Sequence, residues 1–123
     1  MKPPTILVIE DNPLSLKMTR IALESEGYRV VTAADASTGW QAAKEEAPDL
    51  ILQDLILPDM DGFELLEKLR ALPKAAGIPI IALSGLLSET ERSEGLKRGL
   101  TDYFIKPMEP SLLVQSVGKH LKI

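Results

Sequence analysis

The stretch Asp49-Leu50-Ile51-Leu52-Gln53-Asp54-Leu55-Ile56-Leu57-Pro58-Asp59-Met60-Asp61-Gly62 decides how this chain is read. Asp49-Leu50-Ile51-Leu52 has the length and composition of a buried parallel strand. Asp54 falls where that strand ends, and Pro58 and Gly62 then turn the backbone. An aspartate in this position can simply cap a turn. It can also be functional, because α/β folds bind ligands at the carboxyl ends of their strands. The other strand ends separate the two readings.

Upstream, Thr5-Ile6-Leu7-Val8-Ile9 reads as the first strand and closes in Glu10-Asp11. Asn12-Pro13 starts a helix, with an N-cap acceptor followed by proline at the first helical position. Leu14, Met18, Ile21 and Ala22 recur at helical spacing and predict its buried face; Gly27 stops it. Tyr28 to Thr32 is the second strand. Asp35 or Ser37 caps a second helix carrying Trp40, Ala43 and Ala47 along one side, and Pro48 ends it. Downstream, Leu65, Leu66, Leu69 and Leu72 form the stripe of a third helix, and Pro73 and Gly77 bracket a loop. Ile78 to Leu83 is the fourth strand, ending at Ser84-Gly85. Ser88 with Glu91 makes a capping box for a fourth helix, whose only large apolar residue is Leu96. Gly95 inside it costs about 1 kcal/mol relative to alanine, so this helix should be weakly held. Thr101 to Ile105 is the fifth strand, ending in Lys106-Pro107. Leu112, Leu113, Val117 and Leu121 predict the buried stripe of the last helix.

Strand and helix alternate five times. The pattern predicts one α/β domain over residues 1–123, a doubly wound, flavodoxin-like (βα)5 sheet of order 2-1-3-4-5. The composition narrows the function. The 123 residues carry a net charge of −4, no cysteine and one histidine, His120. That excludes disulfides, thiolate metal sites and histidine clusters, and argues against direct nucleic-acid binding. No apolar run reaches membrane-spanning length, and Glu10-Asp11 closes the first one too early for a signal peptide, so a cytoplasmic chain is expected.

At the strand ends the polar residues are Glu10 and Asp11, Asp54, Ser84 and Lys106. In the expected order these converge on one edge, where the winding reverses. Three carboxylates that close must share a proton or surround a cation. Mg²⁺ with oxygen ligands fits such a set. A purely structural Asp54–Lys106 ion pair would leave Glu10 and Asp11 unexplained.

These residues, in this order, resemble the receiver domain of two-component response regulators, the group that includes the chemotaxis regulator. The likeness rests on Glu10-Asp11, on Asp54 followed by Pro58, Asp61 and Gly62, on Ser84, and on Thr101 through Pro107. It covers essentially the whole chain. The resemblance implies a phosphorylation-controlled switch, not a turnover enzyme. Asp54 would accept a phosphoryl group from a histidine kinase or histidine phosphotransfer protein. Glu10, partly through water, with Asp11, Asp54 and the backbone carbonyl of Ile56, would hold Mg²⁺. Lys106 would pair with a phosphate oxygen, Ser84 would move to bond another, and Tyr103 would swing inward. The Lys106–Pro107 bond would be cis. The surface that responds would be the fourth helix, fifth strand and fifth helix; the downstream partner is not implied. From pattern alone, Tyr103 is a strand residue facing solvent.

Some positions depart from the family's habit. Gln53 replaces an apolar residue and needs a buried partner. Gly85, Gly95 and Leu100 stand where alanine is usual, which bears on the loop after the fourth strand and the packing of the fourth helix. Ile56 and Leu86, two residues beyond Asp54 and Ser84, predict slow loss of phosphate. His120 reads as a surface residue in the last helical turn. Two rival functions share parts of the pattern. A haloacid dehalogenase-type phosphatase would want Asp-x-Asp, which Asp54-Leu55-Ile56 lacks. A flavin-binding module would want a Ser/Thr/Gly-rich loop where Glu10-Asp11-Asn12-Pro13 stands.

Overall fold

A computed structural model describes residues 2–85 and 88–121. The chain runs β1 (Thr5–Ile9), α1 (Pro13–Glu24), β2 (Arg29–Ala33), α2 (Ala36–Glu46), β3 (Leu50–Asp54) and α3 (Gly62–Arg70). A 3₁₀ turn (Pro73–Ala75), β4 (Ile80–Ser84), α4 (Glu89–Arg98), β5 (Asp102–Ile105) and α5 (Pro110–Leu121) complete it. The five strands are parallel and ordered β2-β1-β3-β4-β5, as expected.

The three central strands are buried at every position, because helices cover both faces. Alternate residues feed two cores. Leu7, Ile9, Ile51 and Ala82 pack with α2 and α3. Ile6, Val8, Leu52, Leu83 and Phe104 pack with α1 and α5. The outer strands, β2 and β5, are only partly covered. No helix among the described residues is long and apolar enough to cross a membrane.

The expected caps form. Asn12 accepts from Ser15 N and Asp35 from Thr38 N; Ser88 and Glu91 close a reciprocal box on α4. The expected buried face of α1 is wrong. Leu14, Met18 and Ile21 are 66%, 51% and 51% exposed, and the helix seats Leu16 and Leu23 on the sheet instead. Both stripes have helical spacing; Leu16 and Leu23 are the pair that meets the core formed with Ile6, Val8 and Leu113. Leu112 is likewise exposed on α5, where Leu113 and Val117 do the packing. Ala47 lies outside α2 in a left-handed C-cap (φ 45°). Leu72 lies beyond α3 and packs from the loop. Strands β3 and β4 each run to the candidate site residue itself, Asp54 and Ser84.

The weak packing expected of α4 is present: Gly95 is its one buried residue. A Cβ on Gly95 would stand 2.6 Å from Leu100 Cδ1. The two departures from alanine are therefore one packing solution, in which leucine fills the space that glycine leaves. His120 is no free surface residue. Its Nε2 lies 2.9 Å from Asp102 Oδ2, tying the last turn of α5 to the start of β5.

Candidate functional site at the carboxyl edge of the sheet

β1 and β3 are neighbours, so the turn after Ile9 and the end of β3 share one edge. Glu10 is held there by its amide, which donates to Ala33 O at 3.0 Å, and its side chain is almost wholly buried. Carboxylate oxygens of Glu10, Asp11 and Asp54 lie within 4.8 Å of one another. Asp54 is buried and Asp11 exposed, which leaves the cluster open on one side.

Lys106 arrives from the end of β5, its amide fixed to Ser84 O at 2.6 Å. Its ammonium lies 2.5 Å from Glu10 Oε2 and 2.9 Å from Asp54 Oδ2. The other Asp54 oxygen accepts from Ile56 N at 3.1 Å. The Lys106–Pro107 peptide is cis, as expected. Asp54 pairs in register with Leu83, and Ser84 with Ile105, so Ser84 belongs to the same edge.

The electrostatics follow from burial. Burial pushes the Glu10 carboxyl above its ordinary value; the Lys106 hydrogen bond and charge oppose this, and Asp54's charge adds to it. For Lys106, burial works downward, but the hydrogen bonds and charges of Glu10 and Asp54 outweigh it and the net shift is up. Three carboxylates against one ammonium leave net negative charge at the opening. All the donors are hard oxygens. That set fits Mg²⁺ and does not fit a soft metal.

The loop after Asp54 is clamped. Gly62 N donates to Leu55 O at 3.0 Å, and a Cβ on Gly62 would fall 2.4 Å from Leu55 Cα, so only glycine fits. Gln53 finds a partner for its amide nitrogen in Gly62 O at 2.9 Å, while its buried Oε1 has none. Asp61 caps α3 through Phe63 N.

Tyr103 is half-buried against the α2–α3 core, not a free solvent-facing residue, with the Arg92 guanidinium 4.7 Å from its ring centre. Leu86 lies outside the described residues. Three contributors were not found by sequence reasoning: Arg92, Asp102 as the partner of His120, and Asp59. Asp59 alone had a local signal, its place between Pro58 and Gly62.

The sequence matches the response regulator receiver domain over residues 6–118. The chain belongs to that family. This receiver domain is 38% identical over 119 residues to the DNA-binding dual master transcriptional regulator RpaA of Synechocystis sp. The match covers 97% of this chain and 49% of that protein. It is 37% identical to a 14.6 kDa protein of Leptolyngbya boryana over 94% of this chain and 88% of the relative. Among solved structures, the receiver domain of the sensor histidine kinase PA1611 from Pseudomonas aeruginosa PAO1 has a TM-score of 0.88 at 32% identity. That match covers 97% of this chain and 98% of that one, and that structure carries a magnesium ion in its active-site cleft. The receiver domain spans about half the length of the DNA-binding regulators it matches. Receiver domains are phosphorylation-controlled switches of two-component signalling and work with histidine kinases or phosphotransfer proteins; neither rival function is supported.

Proposed function

We propose that Asp54 is the phosphoryl acceptor of this receiver domain. One observation carries the assignment: of the two carboxylates that meet the Lys106 ammonium, Asp54 is the one at the end of β3, between β1, which leads into Glu10 and Asp11, and β4, which ends in Ser84. In the step, an Asp54 oxygen forms a bond to phosphorus as the N–P bond of a donor phosphohistidine breaks, and the electron pair stays on the imidazole. Such a transfer needs alignment and charge neutralisation more than covalent help. Glu10, Asp11, Asp54 and the Ile56 carbonyl would hold Mg²⁺, which when bound supplies neutralisation of phosphate oxygens. Lys106, now shared between Glu10 and Asp54, supplies a second positive charge to the transferred group. Ser84, buried beside the acceptor, donates to a further oxygen, and Tyr103 follows it inward.

Two surfaces serve the two partners. Leu14, Met18 and Ile21 present an exposed apolar row on α1, next to the acidic opening, for the phosphodonor. Leu96, Ile105 and Leu112 put one exposed apolar residue each on α4, β5 and α5, the surface expected to respond. Ile56, two residues beyond Asp54, is 77% exposed; a large apolar side chain at this position would hinder an attacking water and slow hydrolysis, and loss within seconds would defeat that reading.

The test is incubation with acetyl phosphate and Mg²⁺ followed by intact mass. One added phosphoryl group is expected on the wild type and none on Asp54→Asn. A phosphorylated Asp54→Asn protein would overturn the assignment.

A further inference from the structure

The loop between β3 and α3 includes Ile56, whose carbonyl is the one backbone ligand proposed for the cation. Its base is closed by Gly62 N on Leu55 O. Ile56 and Asp61 face each other across this bridge, leaving the Ile56 amide to bond Asp54 Oδ1. The outer part of the loop is secured by neither contact. It is secured by Asp59, which reaches across to α2. Asp59 Oδ1 accepts from Ala36 N at 2.8 Å and Oδ2 from Ser37 N at 3.0 Å.

The other early amides of α2 are already used. Thr38 N donates to Asp35 Oδ1 at 2.7 Å, and Gly39 N to Asp35 O at 3.0 Å. Asp35 is thus a sufficient local cap, and Asp59 takes the two donors that Asp35 leaves. A residue 23 positions away supplies the second half of a helix cap. What it gains is a fixed loop: both carboxylate oxygens are tied to adjacent amides at the positive end of the helix, where a negative charge is favoured. The two amide bonds hold the Asp59 carboxyl below its ordinary value.

We propose that Asp59 is a positioning residue for the cation site: by anchoring the β3–α3 loop to the N-terminus of α2, it holds the Ile56 carbonyl in place before Mg²⁺ arrives. The inference rests on the Mg²⁺ reading given above. Groups that orient a metal ligand from behind typically account for roughly ten- to a hundredfold in affinity.

The test compares Asp59→Ala with Asp35→Ala. Both remove capping bonds from the same helix, and both should lower stability in the absence of Mg²⁺. Only Asp59→Ala should weaken Mg²⁺ binding, by roughly tenfold in a calorimetric titration; Asp35→Ala should stay within about twofold of wild type. Asp59→Asn, with one accepting oxygen, should fall between. In acetyl phosphate labelling, Asp59→Ala should need more Mg²⁺ for half-maximal rate yet approach the wild-type rate at saturation. Equal Mg²⁺ affinity in Asp59→Ala and wild type would overturn the inference while leaving the site reading intact. Equal losses in the two alanine variants would also overturn it, because capping alone would then explain both. A wild type that binds no Mg²⁺ would remove the site reading and this inference together.

Discussion

Replacing Gly95 by alanine should not give the stabilisation that helix propensity promises. In an exposed helix the change gains about 1 kcal/mol. Here the new Cβ would lie 2.6 Å from Leu100 Cδ1 and 3.1 Å from Phe63 Cε1. Leu100 is buried in the α2–α3 core and cannot simply swing into solvent. Overpacking a tight core costs about 1–3 kcal/mol, so Gly95→Ala alone should be neutral or destabilised by about 2 kcal/mol. Leu100→Ala alone opens a cavity and should cost about 2–5 kcal/mol. In the double variant the methyl group added at position 95 enters that space without a clash, and the helix gains its propensity term. The double variant should therefore cost about 2 kcal/mol less than the sum of the singles. Urea unfolding of the four proteins without Mg²⁺, under two-state conditions, measures this. Additivity within about 0.5 kcal/mol would refute the idea that Gly95 and Leu100 are one packing unit.

Arg70 should be intolerant even of lysine. Its guanidinium donates to Gly99 O (2.7 Å), Ala75 O (2.9 Å) and Ile78 O (2.6 Å), and meets no carboxylate among the described residues. Lysine lacks the fork; Arg70→Lys should cost about 2–4 kcal/mol by urea unfolding, with little salt dependence, and a loss under about 1 kcal/mol would contradict this. Gln53→Met removes a buried carbonyl oxygen that has no partner. It should be neutral or stabilising by about 1 kcal/mol, and a melting temperature that falls by several degrees would show the Gly62 bond to matter more. Asp59 sets an acid dependence. Its folded value is depressed, so its contribution is complete above the ordinary carboxylate value of about 3.9 and fades as pH falls through the lower folded value. The stability gap between wild type and Asp59→Asn should close over that range; a gap that is constant down to acid pH would rule the linkage out.

Much of the site was legible because it is written locally. Glu10, Ser84 and Lys106 each follow directly on an apolar run and Asp54 stands one residue past one, so finding the runs located these candidate residues. The departures were legible as departures only. Gln53 and the Gly95–Leu100 pair could be flagged in sequence, but whether each was compensated depended on residues brought up by other elements.

By itself, the sequence determined the alternation of strands and helices, most of their caps and which residues crowd the functional edge. Those features rest on spacing and turn chemistry within a few residues. The tertiary structure decided which of two equally spaced stripes on α1 is buried, and it joined Arg70 to Gly99 and Asp59 to the start of α2. Such contacts join residues more than twenty positions apart, and no local pattern encodes them, because they exist only once the sheet has fixed the distances between its helices.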